Sequence, residues 1–330
     1  MQGDLEAWLD AAAGTDEDFV ERAWRLAVRR SPEPEAREHA LAKLREGELS
    51  RASLLQQLVA SDEFERVALL AGALSFAAAE RARPREVRGP ARPRNLTAPG
   101  WSDERALEIP WCLARYDSER RVLDVGYAFA EAAYVAGLAG LGAAELVGVD
   151  LARAEVPGLQ SVVADVRELP FPDGHFELIV CISTLEHIGR DNAVYDVEAA
   201  RDERGDEAAL RELHRVLAGD GRLLVSVPTG APEDQGWQVQ RTPEEWVERF
   251  EGGGFLIFED ELYTRGEDGW RTATLADAAG KRLGEGGPGA GAILLAELRP
   301  ARLGERLRLA VRDARHRDAP RRSTRGSGRR

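Results

Sequence analysis

Cysteine is nearly absent from this chain: 330 residues contain two, Cys112 and Cys181, far apart in sequence. They offer neither a disulfide framework nor a metal-ligand spacing, which excludes a stapled secreted scaffold and points to a reducing cytoplasm. Histidine is also scarce, at five. Glu233 and Asp234 form no recognisable ligand set with any of them, so no resident metal is indicated. No apolar run approaches the roughly 18 to 20 residues that a membrane span requires. The opening MQGDLEAWLDAAAG lacks the basic lead into an apolar core that marks a secretory signal. There is no internal repeat.

What is present is the composition of a folded protein, with 43% apolar residues and a length that allows one large α/β domain beside a smaller one. The net charge is -13, but it is unevenly spread. Residues 299–330 hold twelve arginines against Glu305, Asp313 and Asp318, about +9, which leaves about -22 on the rest. That basic tail reads as a solvated extension. The acidic remainder disfavours nucleic acid as a partner, because only the tail would attract phosphate.

Residues 1–80 read as a helical module. Phe19, Val20, Ala23, Trp24, Ala27 and Val28 recur on one helical stripe. Ser31, Pro32 and Glu33 predict a cap and first turn, Gly47 a stop, and Ser50 or Ser53 and Ser61 further starts. Residues 81–100, rich in proline and arginine, read as a linker. From 101 the pattern changes to short β-branched runs separated by helical segments: RVLDVG, ELVGVDL, QSVVAD, FELIVCIS and RLLVSVP. Two later strands, at 255–263 and 290–298, close the edge as an antiparallel pair. The expected fold is a Rossmann-like, seven-stranded, mostly parallel sheet with helices on both faces.

In such sheets ligands bind beyond the carboxyl ends of the strands. Asp124, Asp150 and Asp165 fall there. A carboxylate after the second strand suits a ribose diol, since its oxygens accept from both hydroxyls. The turn GYAFAE, however, places Glu131 where a pyrophosphate would meet the helix N-terminus. A cationic cofactor has no such conflict.

VLDVGYAFAE, GVDL, ADVRELPFPDGHFELIVCISTLEHIG and LRELHRVLAGDGRLLVSVP together make residues 105–298 resemble a class I S-adenosylmethionine-dependent methyltransferase. The resemblance implies that Asp124 and Gly126 border the amino-acid part of S-adenosylmethionine, that Asp150 binds the ribose, that Asp165 and Val166 meet the adenine, and that Ser183 is the ligand-side residue of the fourth strand. Tyr127, Ala128 and Leu151 are further cofactor-binding residues by the same resemblance. Ala128 and Ala130 replace two glycines of the family pattern, each adding a methyl to the cofactor wall. Weakened binding is the expectation, and a noncatalytic scaffold with a closed loop is the alternative. A nicotinamide-dependent oxidoreductase ranks third.

His187 lies beside the expected methyl position and is a candidate general base for a hydroxyl acceptor, with Glu186 to orient it. The other reading of His187 is a hydrogen bond to local backbone. His39, His175, His214 and His316 receive no role. Asp191, Asn192, Tyr195, Trp237 and Gln240, in loops after strand ends, are the candidate acceptor residues for a small molecule or glycan. The segment 26–64 resembles a bacterial domain of unknown function often attached to surface-polysaccharide and glycosylation proteins. From that come the glycan expectation and a protein partner for the N-terminal helices.

Overall fold

The computed structural model describes residues 14–83, 93–195 and 200–301. The chain divides into two compact units, residues 1–79 and 80–330, each described by itself. The expectations for the basic tail lie outside the described residues, apart from its first three positions. Among the described residues, no helix is long and apolar enough to cross a membrane.

In the first unit, α1 (Asp16–Val28) opens with a capping box between Thr15 and Asp18. Helix α2 (Pro34–Glu46) ends at Gly47 with φ +74°, the left-handed cap that glycine tolerates best. Helix α3 (Arg51–Val59) is capped by Ser50, and α4 (Asp62–Ala82) follows. Phe19, Val20, Ala23, Ala27 and Val28 pack with Ala40, Leu41, Leu54 and Leu58, while Trp24 stays only partly buried. The second start falls at Pro34 rather than Pro32. Ser31 is not a cap, because its hydroxyl donates to Glu21 at 2.5 Å. Arg30 pairs with Glu63 at 2.7 Å, joining the two ends of the segment that carries the N-terminal resemblance.

The second unit begins with α5 (Arg105–Ala114), whose residues from Ala106 to Ala114 are all buried despite the internal Pro110. Strands β1 (Arg121–Val125), β2 (Glu145–Asp150), β3 (Gln160–Val163), β4 (Phe176–Ile182) and β5 (Leu217–Pro228) are parallel. A two-stranded ribbon of β6 (Glu233–Asp234) and β7 (Val239–Gln240) follows. Strand β10 (Ala292–Pro300) inserts antiparallel between β5 and β8 (Phe255–Gly266). With β9 at Gly269–Thr272, the order is β3-β2-β1-β4-β5-β10-β8-β9. Chain direction along the sheet reverses at β1 and β4, which opens the crevice at their carboxyl ends.

Eight strands replace the seven expected, because β9 (Gly269–Thr272) folds back on β8 as a hairpin. Part of the expected linker is also built in. Asn95 donates its backbone N–H to Glu261 at 3.1 Å, Leu96 donates to the Tyr263 hydroxyl, and Ala98 bridges to Trp270. Beneath the crevice, Leu123, Val147, Val149, Ile179, Leu223 and Val225 form one core with α7 (Gly205–Val216) and α8 (Pro243–Gly252), through Leu210, Leu213, Trp246 and Phe250.

Candidate active site

The turn after β1 settles how the alanines fit. Gly126 takes φ +89°, and its N–H donates to Val149 O at 2.9 Å. Tyr127–Phe129 then form one 3-10 turn, and Ala130 is extended at φ -74° before the helix at Ala132–Ala139. Neither alanine occupies the left-handed region, so neither costs backbone strain. Ala130 lines the pocket and Ala128 does not.

Instead, the Ala128 N–H donates to Asp150 Oδ2 at 3.0 Å, and the Ala152 N–H donates to Asp150 Oδ1 at 3.2 Å. Asp150 keeps spare lone pairs for a diol. The same bond turns the one N–H at position 128 toward a carboxylate, away from any pyrophosphate, and Glu131 lines the pocket beyond it. Burial raises the Asp150 carboxyl above its ordinary value.

Asp124 is buried in β1. Its Oδ1 accepts from the Tyr134 hydroxyl at 2.6 Å, while Oδ2 has no hydrogen-bond partner. Burial pushes this carboxyl up to about 7. An unpartnered carboxylate oxygen facing a crevice suits an ammonium group, so the amino-acid end of S-adenosylmethionine fits here. Leu151, Ala164, Val166 and Ile188 supply apolar wall for an adenine. Asp165 also lines the pocket, but Arg167 Nε grips both its oxygens at 2.9 and 3.0 Å. Burial alone would raise this carboxyl, yet the Arg167 bonds outweigh burial and hold it below the ordinary range.

Tyr127 is not a cofactor residue. Its ring is buried against Gly148, where an added Cβ would lie 2.7 Å away, and its hydroxyl bonds Ser161 and the Ala154 backbone. Three acceptor candidates do not line the pocket: Trp237, which stacks on His187, and Asp191 and Gln240. Asp191 is exposed, paired with Arg201, and caps the Ala193 N–H. Gln240 is buried, and its Nε2 donates to Ala231 O and Lys281 O. Neither lines the pocket, and the buried Gln240 Oε1 has no hydrogen-bond partner among the described residues. Asn192 and Tyr195 do line it.

His187 lines the same pocket. Its Nδ1 lies 3.0 Å from Trp237 O. A carbonyl only accepts, so Nδ1 carries the proton and Nε2 is left as the acceptor. The imidazole stacks on Trp237 at 5.2 Å, and burial pushes it down to about 4, so it is neutral at physiological pH. Glu186 does not orient it as an anion. That carboxyl is buried, its Oε1 stands 3.9 Å from Nε2, and burial pushes it up to about 8.

Sequence reasoning missed Arg105, Glu108 and Ile109. Ser183, held at φ +42°, donates its hydroxyl to Glu108 Oε1 at 2.7 Å, and Glu108 pairs with Arg105 at the pocket wall. The i, i+3 spacing of Arg105 and Glu108 is a signal, but Pro110 masks the helix that carries it.

These groups set a pH dependence. Asp124 and Glu186 titrate far above their ordinary values of 3.8 and 4.5, so they favour folding when protonated, and that contribution is lost as pH rises through about 7 and about 8. His187 acts oppositely, but only between its ordinary 6.5 and about 4. The ligand-free protein is expected to lose stability from pH 6.5 to 8.5. Denaturant midpoints across that range, flattened in Asp124→Asn, check this; a midpoint that rises with pH contradicts it.

Residues 123–225 match the family described as a methyltransferase domain. The matched segment runs from β1 into β5, and S-adenosylmethionine is the cofactor that this match supports. No curated protein matches the chain. Among solved structures, one from Burkholderia thailandensis, 1,6-didemethyltoxoflavin-N1-methyltransferase with bound 1,6-didemethyltoxoflavin and S-adenosylhomocysteine, is similar at 15% identity and TM-score 0.40. It covers 80% of this chain and 87% of its own. A SAM-dependent methyltransferase from Methanosarcina mazei is similar at 14% identity and TM-score 0.39, covering 57% of this chain and 95% of its own. Likeness at these scores adds nothing to what the strand order and the pocket already define.

Proposed function

We propose that the protein methylates a hydroxyl oxygen of a small-molecule acceptor, with His187 as the proton acceptor. The observation that carries this is the fixed tautomer. Nδ1–H is tied to Trp237 O, and Nε2 remains as a base in the pocket lined by Gly126 and Asp150. The cofactor, when bound, supplies a methyl group on a sulfonium sulfur. Asp150 would hold its ribose, Asp124 its ammonium, and Val166 and Leu151 its base. His187 Nε2 holds the proton that the acceptor oxygen gives up, and being neutral it is free to take it.

A glycan acceptor loses support, since Asp191 and Gln240 are committed elsewhere. The scaffold alternative rested on the two alanines, which fit the turn without strain. We take the N-terminal helices as a docking module for a protein partner. The test is His187→Ala beside His187→Gln. Turnover should fall about 100-fold in both, while S-adenosylhomocysteine affinity by calorimetry stays within about threefold. Unchanged turnover would make His187 purely structural.

A further inference from the structure

We propose that the acceptor is a planar aromatic hydroxyl compound, stacked on Phe129 and Tyr195 at the pocket mouth with its hydroxyl toward His187; this rests on the methyl-transfer reading above. Phe129 is the carrying observation. It sits in the turn after β1 and lines the pocket, yet among the described residues it is 52% exposed, a large apolar surface. Its ring lies 4.9 Å from Tyr195, tilted by 40°. Tyr195 meets His187 edge-on at 5.7 Å and 88°, and His187 lies flat on Trp237 at 25°. Phe129, Tyr195 and His187 thus present a run of aromatic rings to the pocket, with Trp237 packed against His187 outside the lining, and Ile109 and Ile188 add apolar lining.

Such a wall favours a flat ring by offset or edge-to-face packing. It serves a sugar poorly. A sugar's several hydroxyls need partners, and Asp191 and Gln240 lie off the pocket, while the lining Arg105 and Ser183 are bonded to Glu108 and Thr184 to backbone. Asn192 and Glu131 are further polar residues of the lining. Each buried hydroxyl left unpaired weakens binding. The base argues the same way. His187 is a weak base, and an aromatic hydroxyl, with a pKa of roughly 10, yields its proton far more readily than an alcohol near water's roughly 16.

The test uses the full chain saturated with S-adenosylhomocysteine. 7-Hydroxycoumarin, 2-naphthol and catechol are titrated by fluorescence or calorimetry beside methyl glucoside. At least one aromatic probe should bind more tightly than the glucoside. Phe129→Leu and Tyr195→Leu, which keep apolar volume and remove a ring, should each weaken it about tenfold while S-adenosylhomocysteine affinity holds. If no aromatic probe binds, if the leucine variants bind it equally, or if the glucoside binds more tightly, the proposal is overturned and methyl transfer stands. If S-adenosylhomocysteine itself does not bind the wild type, methyl transfer falls, and the acceptor class falls with it.

Discussion

Gly126→Ala is expected to abolish measurable cofactor binding and to destabilise the domain by about 2 to 5 kcal/mol. Two independent costs add. Gly126 is held at φ +89°, where a Cβ is unfavourable. A Cβ there would also lie 2.4 Å from Thr184 Oγ1 and 2.7 Å from its Cγ2. Thr184 cannot simply swing aside, because its one hydroxyl proton is shared between Val125 O at 3.1 Å and Ile182 O at 2.9 Å, tying the ends of β1 and β4 together. Any relief therefore moves the two strands that form the crevice. Calorimetry with S-adenosylhomocysteine and denaturant unfolding read both effects. The double variant Gly126→Ala, Thr184→Ala should recover the part due to the clash and keep the part due to φ. A double variant no better than the single would mean that the contact with Thr184 does not set the cost.

What was legible in the sequence follows the range of the forces involved. Asp124, Gly126 and Asp150 were found because strand periodicity fixes where a strand ends, and an acid or glycine at that end has few other uses. The antiparallel pair β8 and β10 was legible for the same reason, as two apolar runs after the last helix. Tyr127 was misassigned because its place depends on Gly148 in β2 and Ser161 in β3. Nothing local to GYAF says that a side chain will fold back under the sheet. Asp165 falls two residues beyond β3 rather than at its end, which lets Arg167 reach around and chelate it. Gln240 looked like a loop amide; the β6–β7 ribbon turns it inward, where two backbone carbonyls take its donors. Arg105 and Glu108 were invisible because their role is to reach Ser183, 75 residues away from Glu108. Of the two readings of His187, the bond to backbone is the one seen, from Nδ1 to Trp237 O, and it leaves Nε2 for the proposed base.

Asp150→Ala separates the cofactor reading from every other use of this pocket. The carboxylate accepts from the Ala128 and Ala152 N–H groups, and in the proposed reading its remaining lone pairs take a ribose. Bonds to a charged acceptor contribute about 1.5 to 3 kcal/mol each. Losing the ribose pair should weaken S-adenosylhomocysteine by at least about 100-fold, and loosening the turn adds to that. Asp150→Asn keeps one carbonyl acceptor, so its loss should be smaller, about tenfold. The two variants also differ from wild type in pH response. Burial holds the Asp150 carboxyl above its ordinary 3.8, so wild-type affinity should fall as pH drops through that raised value and the acceptor is protonated. The asparagine variant has no proton to gain there, and its pH profile should lose that limb. An alanine variant that binds S-adenosylhomocysteine as tightly as wild type would place the ribose away from β2. The acidic strand ends would then be structural acceptors for the turn alone.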